Sequence, residues 1–143
     1  MSSQYPDRIF RITEPVTESN CYVIREKNRC MIIDPNDFPA IRELLQKWNM
    51  KPELVLLTHE HCDHIGGLNQ LRETYPVTVV ATQACSEGIG NKTRNMSRMM
   101  ETFLYFKSGE KTFVHYPPFQ CEKADLTFTD QLCCEFGAKE LEL

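Results

Sequence analysis

Residues 54–67 read Leu54-Val55-Leu56-Leu57-Thr58-His59-Glu60-His61-Cys62-Asp63-His64-Ile65-Gly66-Gly67. Four consecutive apolar residues have the pattern of a short strand buried on both faces. That strand runs directly into three of the chain's four histidines. His59 and His61 are two apart, and in extended chain such residues point the same way, so both imidazoles can converge on one ion. Asp63 and His64 follow as the chain turns toward a helix, and they can offer a carboxylate and a third imidazole to a second point nearby. Gly66 and Gly67 permit the tight turn and close backbone packing that this needs. Nitrogen and oxygen ligands suit zinc first, with iron or manganese as alternatives. One or two such ions would lower the pKa of a bound water from about 15.7 to about 7 and polarise a carbonyl or phosphoryl oxygen. Asp63 is then expected to ligate metal and to orient the resulting hydroxide.

Outward from this segment the chain alternates strand and helix. Short apolar runs at Ile9 to Ile12, Cys21 to Ile24 and Cys30 to Ile33 predict a strand meander, with Glu26-Lys27-Asn28 as a hairpin turn. Asp37 and Pro39 introduce a helix whose Ile41, Leu44, Leu45 and Trp48 recur on a 3.6-residue period, and Asn49 and Pro52 end it. Leu68 and Leu71 mark a second helix that stops before Pro76. Val77 to Ala81 is another buried strand, and Thr82 caps a third helix ending near Gly88 or Gly90. The alternation predicts an α/β class.

Asn91 to Phe113 mixes Met96, Met99, Met100, Phe103, Leu104, Tyr105 and Phe106 with Lys92, Arg94, Arg98 and Lys107. It reads as a helix packing its Met and Phe residues in a core, the alternative being a flexible lid or partner surface of adaptable methionines. Lys92, Arg94 and Arg98 read as solvated helix charges. Leu126 to Leu143 returns to short strands, with turns at Gly137 or at Asp130-Gln131.

The 143 residues have the length of one domain, taken as 1–143, with 41% hydrophobic and 25% charged residues, the balance of a soluble globular protein. Sixteen basic against twenty acidic residues leave a net charge of −4, which disfavours a nucleic-acid surface. No run is long enough to cross a bilayer or to serve as a signal peptide, so no membrane partner is expected and the cytoplasm is the expected compartment. Seven cysteines without a Cys-x-x-Cys pair read as reduced, mostly buried thiols.

The His-x-His-x-Asp-His pattern closed by Gly66-Gly67 resembles the signature of the metallo-β-lactamase superfamily, which includes glyoxalase II-like thioesterases, lactonases and RNA-processing nucleases. Asn20 to Ile24 and Met31 to Pro35 resemble that family's two early strands, and the likeness covers residues 9 to 90 well. It implies a metallo-β-lactamase-like αββα sandwich. It also implies that His59 and His61 ligate a first metal, that Asp63 and His64 ligate a second, and that Asp34 and Thr58 support the metal loop. The implied activity is metal-dependent hydrolysis of a small-molecule ester, thioester, lactone or phosphodiester.

The sequence departs from the family pattern after residue 90. The family's later histidine, in a Gly-His-Thr/Ser-like turn, has no counterpart; only His115 remains, with Pro117 and Pro118 behind it. Cys62 and Cys121 are the other side chains considered as replacement ligands. The expected fold is therefore the sandwich truncated to its N-terminal half, either naturally short or a piece of a longer chain. Such a half would expose the sheet face that its partner half covers, and self-association as a twofold dimer is the simplest cover. The alternative function is a truncated or degenerate relative that does not catalyse, and that binds metal weakly or acts as an assembly partner.

Overall fold

The computed structural model describes residues 8–136 and 139–143, and its strands sort side chains by the period of two that extended chain imposes. Strands β1 (Ile9–Thr13), β2 (Asn20–Glu26) and β3 (Arg29–Ile33) form the expected antiparallel meander, with Lys27 at positive φ in the hairpin turn. Strands β4 (Pro52–Leu56), β5 (Thr78–Thr82) and β6 (Leu126–Phe128) continue the sheet in parallel pairing, so six strands lie in sequence order. Parallel neighbours need crossovers. Helix α1 (Phe38–Trp48) joins β3 to β4, α2 (Leu68–Thr74) joins β4 to β5, and α3 (Gln83–Ile89) follows β5. After α4 (Met100–Lys107) and an extended stretch, the chain adds β6 and then a separate antiparallel pair, β7 (Cys133–Phe136) and β8 (Lys139–Glu142). The bend before β7 falls at Thr129 and Asp130; the alternative turn residue, Gly137, lies outside the described residues.

Register lines up Val23, Ile32, Val55 and Val79 across four strands, and each is fully buried. With Cys21, Cys30 and Ala81 they form the sheet's half of the main core, against Ile41 and Leu45 of α1, Leu68 and Leu71 of α2, and Cys85 and Ile89 of α3. The opposite face carries Met31, Leu56 and Val80, over which Phe128, Leu132 and Leu143 pack. Ile24, Ile33 and Leu54 are half-buried beside them, so this face is covered in part by the chain's own C-terminal residues.

The helix boundaries have local causes. The Asp37 carboxylate accepts from the Ala40 amide at 3.2 Å to cap α1, and Asn49 ends it in the left-handed region at φ 53°. The Thr82 hydroxyl caps α3 by accepting from the Cys85 amide at 3.1 Å. The five cysteines among the described side chains, Cys21, Cys30, Cys62, Cys85 and Cys121, are all free and buried, as expected.

One expectation is corrected. Residues 100–107 are helical, but this is not a core helix. Met100 and Leu104 are buried, whereas Met96, Met99, Phe103, Phe106 and Phe113 are exposed. The helix has only eight residues and one narrow buried edge, so the neighbouring aromatic positions turn outward. Lys92 and Arg94 lie in turns rather than on a helix.

Gly67 fixes how the metal segment meets α1. A Cβ there would stand 2.9 Å from the Phe38 amide nitrogen, which is rigid backbone at the start of α1. Gly67→Ala is expected to destabilise the chain by about 1–3 kcal/mol in urea unfolding. An unchanged midpoint would mean that α2 can move off α1 at no cost.

Candidate metal centre

The carboxyl ends of adjacent parallel strands are where α/β sheets collect functional groups. Here β3 delivers Asp34 and β4 delivers the Thr58–His64 segment to one edge. Asp34 is 4% exposed and sits at φ 55°, a left-handed conformation that aspartate tolerates better than most residues. Its amide donates to the Leu56 carbonyl at 3.0 Å, which ties the end of β3 to β4. Its carboxylate accepts from the Thr58 amide at 2.8 Å, from the Thr58 hydroxyl at 2.5 Å and from His64 Nδ1 at 3.0 Å. A buried carboxylate without such donors would cost several kcal/mol.

These bonds settle the proton positions on two histidines. The Thr58 hydroxyl has one hydrogen, and Asp34 takes it. His59 Nδ1, 2.8 Å from the same hydroxyl oxygen, must therefore be the donor in that contact. His64 Nδ1 donates to Asp34 for the same reason. In the neutral form both rings then carry their proton on Nδ1 and leave the Nε2 lone pair free, the form that binds a metal. The His59 and His64 ring centroids are 4.2 Å apart, and those of His59 and His61 are 4.7 Å apart. Asp63 Oδ2 stands 3.7 Å from His64 Nε2, so its carboxylate faces the same space.

The electrostatics oppose each other across the cluster. Burial, followed by the neighbouring His64 and His61, lowers the pKa of His59 and keeps its imidazole neutral. The hydrogen bond to Asp34 raises the pKa of His64. A metal ion at His64 Nε2 would compete with the proton that Asp34 and Asp63 favour on that ring.

All four expected ligands thus lie in one neighbourhood. Among the described residues, a grouping of donor atoms within 4.8 Å of one another joins His59 and His64 to Asp34 rather than to His61 or Asp63. Asp34 already accepts three hydrogen bonds, so it acts as a positioning residue. His61 is the most exposed of the three clustered histidines, and Asp63 and His64 are half-buried in a single 3₁₀ turn, Cys62–His64. The donor set, three imidazoles and a carboxylate on a rigid strand-end loop, fits a divalent ion of the zinc, iron or manganese type.

Other parts of the loop's support leave no trace in residue spacing. The Ser19 hydroxyl donates to the Asp63 carbonyl at 2.7 Å, and Asn36 Nδ2 donates to the Ser19 and Ile12 carbonyls at 3.0 and 3.2 Å. On the other side the Cys62 amide donates to the Asn95 carbonyl at 2.7 Å. Asn95, fully buried, reaches the Phe119 carbonyl at 2.8 Å and accepts from the Ser97 amide at 2.9 Å. Glu60 packs across Gly88 of α3, where a Cβ would meet its Cγ at 2.7 Å.

His115, Cys62 and Cys121 do not join the cluster. The His115 side chain is 78% exposed and contacts Glu101 at 3.2 Å. Cys62 is buried, bonded to Tyr116, and held as a thiol by a pKa pushed up to about 11. Cys121 is buried in the helical core with its pKa pushed up to about 12.

The family model of the metallo-beta-lactamase superfamily matches residues 15–125. The hydroxyacylglutathione hydrolase of Klebsiella pneumoniae subsp. pneumoniae is 41% identical over 71 residues, which are 48% of this chain and 28% of that protein. BLEG-1, a B3 metallo-beta-lactamase, superposes with a TM-score of 0.74 at 23% identity, over 92% of this chain and 58% of its own. BJP-1, a subclass B3 metallo-beta-lactamase of Bradyrhizobium japonicum, superposes with a TM-score of 0.65 at 20% identity, over 96% of this chain and 48% of its own. At such identities the two structures speak for the fold alone. The chain spans about half the length of each lactamase, and less of the hydrolase. The family match runs from before β2 to the start of β6 and takes in Asp34, Thr58 and every clustered histidine, and the chain belongs to the metallo-β-lactamase superfamily.

Proposed function

We propose that this chain holds one or two divalent metal ions, zinc first, through His59, His61, Asp63 and His64, and serves metal-dependent hydrolysis of a small-molecule ester, thioester, lactone or phosphodiester. The observation that carries the reading is the convergence of three imidazoles, two of them with Nδ1 engaged in bonds that lead to Asp34. A divalent ion supplies Lewis acidity and a water of lowered pKa. The chain's own residues do the rest. Asp34 and Thr58 fix ring orientation, and Asp63 offers a carboxylate able to orient a water by hydrogen bonding. In such a hydrolysis water adds to the acyl or phosphoryl centre, the bond to the alcohol or thiol breaks, and the leaving group departs with a proton. The named relative is a hydrolase, which is consistent with this chemistry.

A second reading, a non-catalytic module that binds metal weakly, draws on one observation: His115 is turned to solvent beside Glu101 instead of joining the other three histidines. Turnover of a thioester or phosphodiester together with stoichiometric metal supports the enzyme. Substoichiometric metal without turnover supports the module. No helix among the described residues is long and apolar enough to cross a membrane, and the buried free thiols are in keeping with a reducing, cytoplasmic setting.

Self-association belongs to the same proposal. Half-buried Ile24, Ile33 and Leu54 flank the sheet face opposite the helices, and a twofold dimer would complete the cover begun by Phe128, Leu132 and Leu143. Light scattering at micromolar concentration is expected to give twice the chain mass; a clean monomer would remove the dimer from the account. For the site itself, the chain loaded with zinc and desalted is expected to retain metal, while His59→Ala and Asp63→Ala lose it. Equal metal content in those variants, read by atomic absorption, would place the ion elsewhere.

A further inference from the structure

We propose that the cleft between the metal residues and α4 binds a neutral, apolar acyl arm, so that the hydrolysed substrate is an ester or thioester of an aliphatic or aryl carboxylic acid. The proposal rests on the metal-centre reading above, which it narrows to one substrate class. The cleft has a volume of about 270 Å³ and is lined by His61, Asp63, Met96, Met99, Met100 and Phe103. Two expected metal ligands therefore stand at one end, and four large apolar side chains make the rest.

Those apolar residues are the ones that the core did not take up. Met96 is 41% exposed, Met99 53% and Phe103 55%, and an apolar patch concentrated beside polar site residues marks a binding surface rather than scattered surface hydrophobes. Methionine is flexible and polarisable, and so adapts to chains of different shape. Met96 is held at φ 67°, in the turn pinned by Asn95 and Ser97 to the Phe119 segment, which fixes the base of the cleft.

The charges point the same way. Among the described residues, no lysine or arginine lines the cleft. Arg94 donates to the Ala84 carbonyl at 2.9 Å, and Arg98 is directed to the Thr93 hydroxyl at 3.4 Å. Along the Met96, Met99, Met100 and Phe103 wall, away from the metal residues, an anionic arm would find no lysine or arginine partner. A second cleft, of about 320 Å³, also borders Asp63, and it mixes Asn36, Asp37 and Gln70 with Phe38, Tyr116 and Phe119. An acyl carbon beside Asp63 would put its apolar arm against Met96, Met99, Met100 and Phe103, the cleft whose lining is apolar apart from the two metal residues.

The test uses sodium salts of straight-chain carboxylic acids, acetate to octanoate, as acid-half probes, with the full chain carrying ¹³C-methyl methionine and observed by NMR with and without added zinc. Affinity is expected to rise about fourfold per added methylene until the cleft is filled, with the Met96, Met99 and Met100 methyl signals moving and the remaining methionines still. Phe103→Ser flattens that rise, whereas Phe113→Ser, exposed and outside the cleft, keeps it. Affinity that stays level from acetate to octanoate, or shifts at other methionines, would overturn the proposal. Shifts of the Met96, Met99 or Met100 methyls on simple dilution without carboxylate would also overturn it, since a second copy of the chain would then occupy the cleft. The methyl readout does not require metal, so failure of the metal reading appears as absent zinc uptake while the chain-length series still decides the cleft.

Discussion

A single buried carboxylate holds the two halves of this site together. Asp34 leaves β3 in a left-handed turn, and its side chain must find donors because it is shut away from water. The donors come from the far end of β4: the Thr58 amide, the Thr58 hydroxyl and His64 Nδ1. Satisfying the carboxylate and shaping the loop are therefore one event. The same bonds hold the His59 and His64 rings 4.2 Å apart with Nδ1 engaged, a preorganisation that a flexible loop could supply only at an entropic cost.

The sheet makes that event possible. Two-residue alternation sends Val23, Ile32, Val55 and Val79 to the helical face and Met31, Leu56 and Val80 to the other, which fixes register so that β3 and β4 end side by side. Gly67 then lets α2 start against the backbone of α1, and the amide of Gly67 donates to the Pro35 carbonyl at 2.9 Å. Beyond the loop, Asn95, Ser97 and Phe119 bind the chain after α3 to the Cys62 amide, so the apolar cleft beside α4 is anchored to the same frame as the histidines.

Much of this is written in local sequence. The strand meander, the Ile41–Trp48 stripe, the Asp37 and Thr82 caps and the histidine cluster all follow from periodicity, capping chemistry and ligand spacing, because each depends on residues close together in the chain. Asp34 is different. Its partners lie 24 and 30 positions away, and only the family resemblance pointed to it. Asn36, Ser19 and Asn95 gave no signal, since a polar residue that bonds distant backbone looks like any loop residue. The helix at 100–107 was legible as a helix but not in its burial, because Phe103 and Phe106 in a sequence suggest a core whether or not the tertiary fold supplies one. It supplies a cleft at Phe103 and open surface at Phe106.

The most direct test of this account is the zinc affinity of Asp34→Asn, measured by competition with a chromophoric chelator and alongside urea unfolding. The near-isosteric amide keeps the volume but replaces one acceptor oxygen with a donor, and it so opposes Thr58 or His64. Loss of an orienting partner of this kind is predicted to weaken metal binding about 10- to 100-fold in a chain that still folds. Zinc affinity equal to that of the parent chain would contradict the claim that Asp34 sets the geometry of the site.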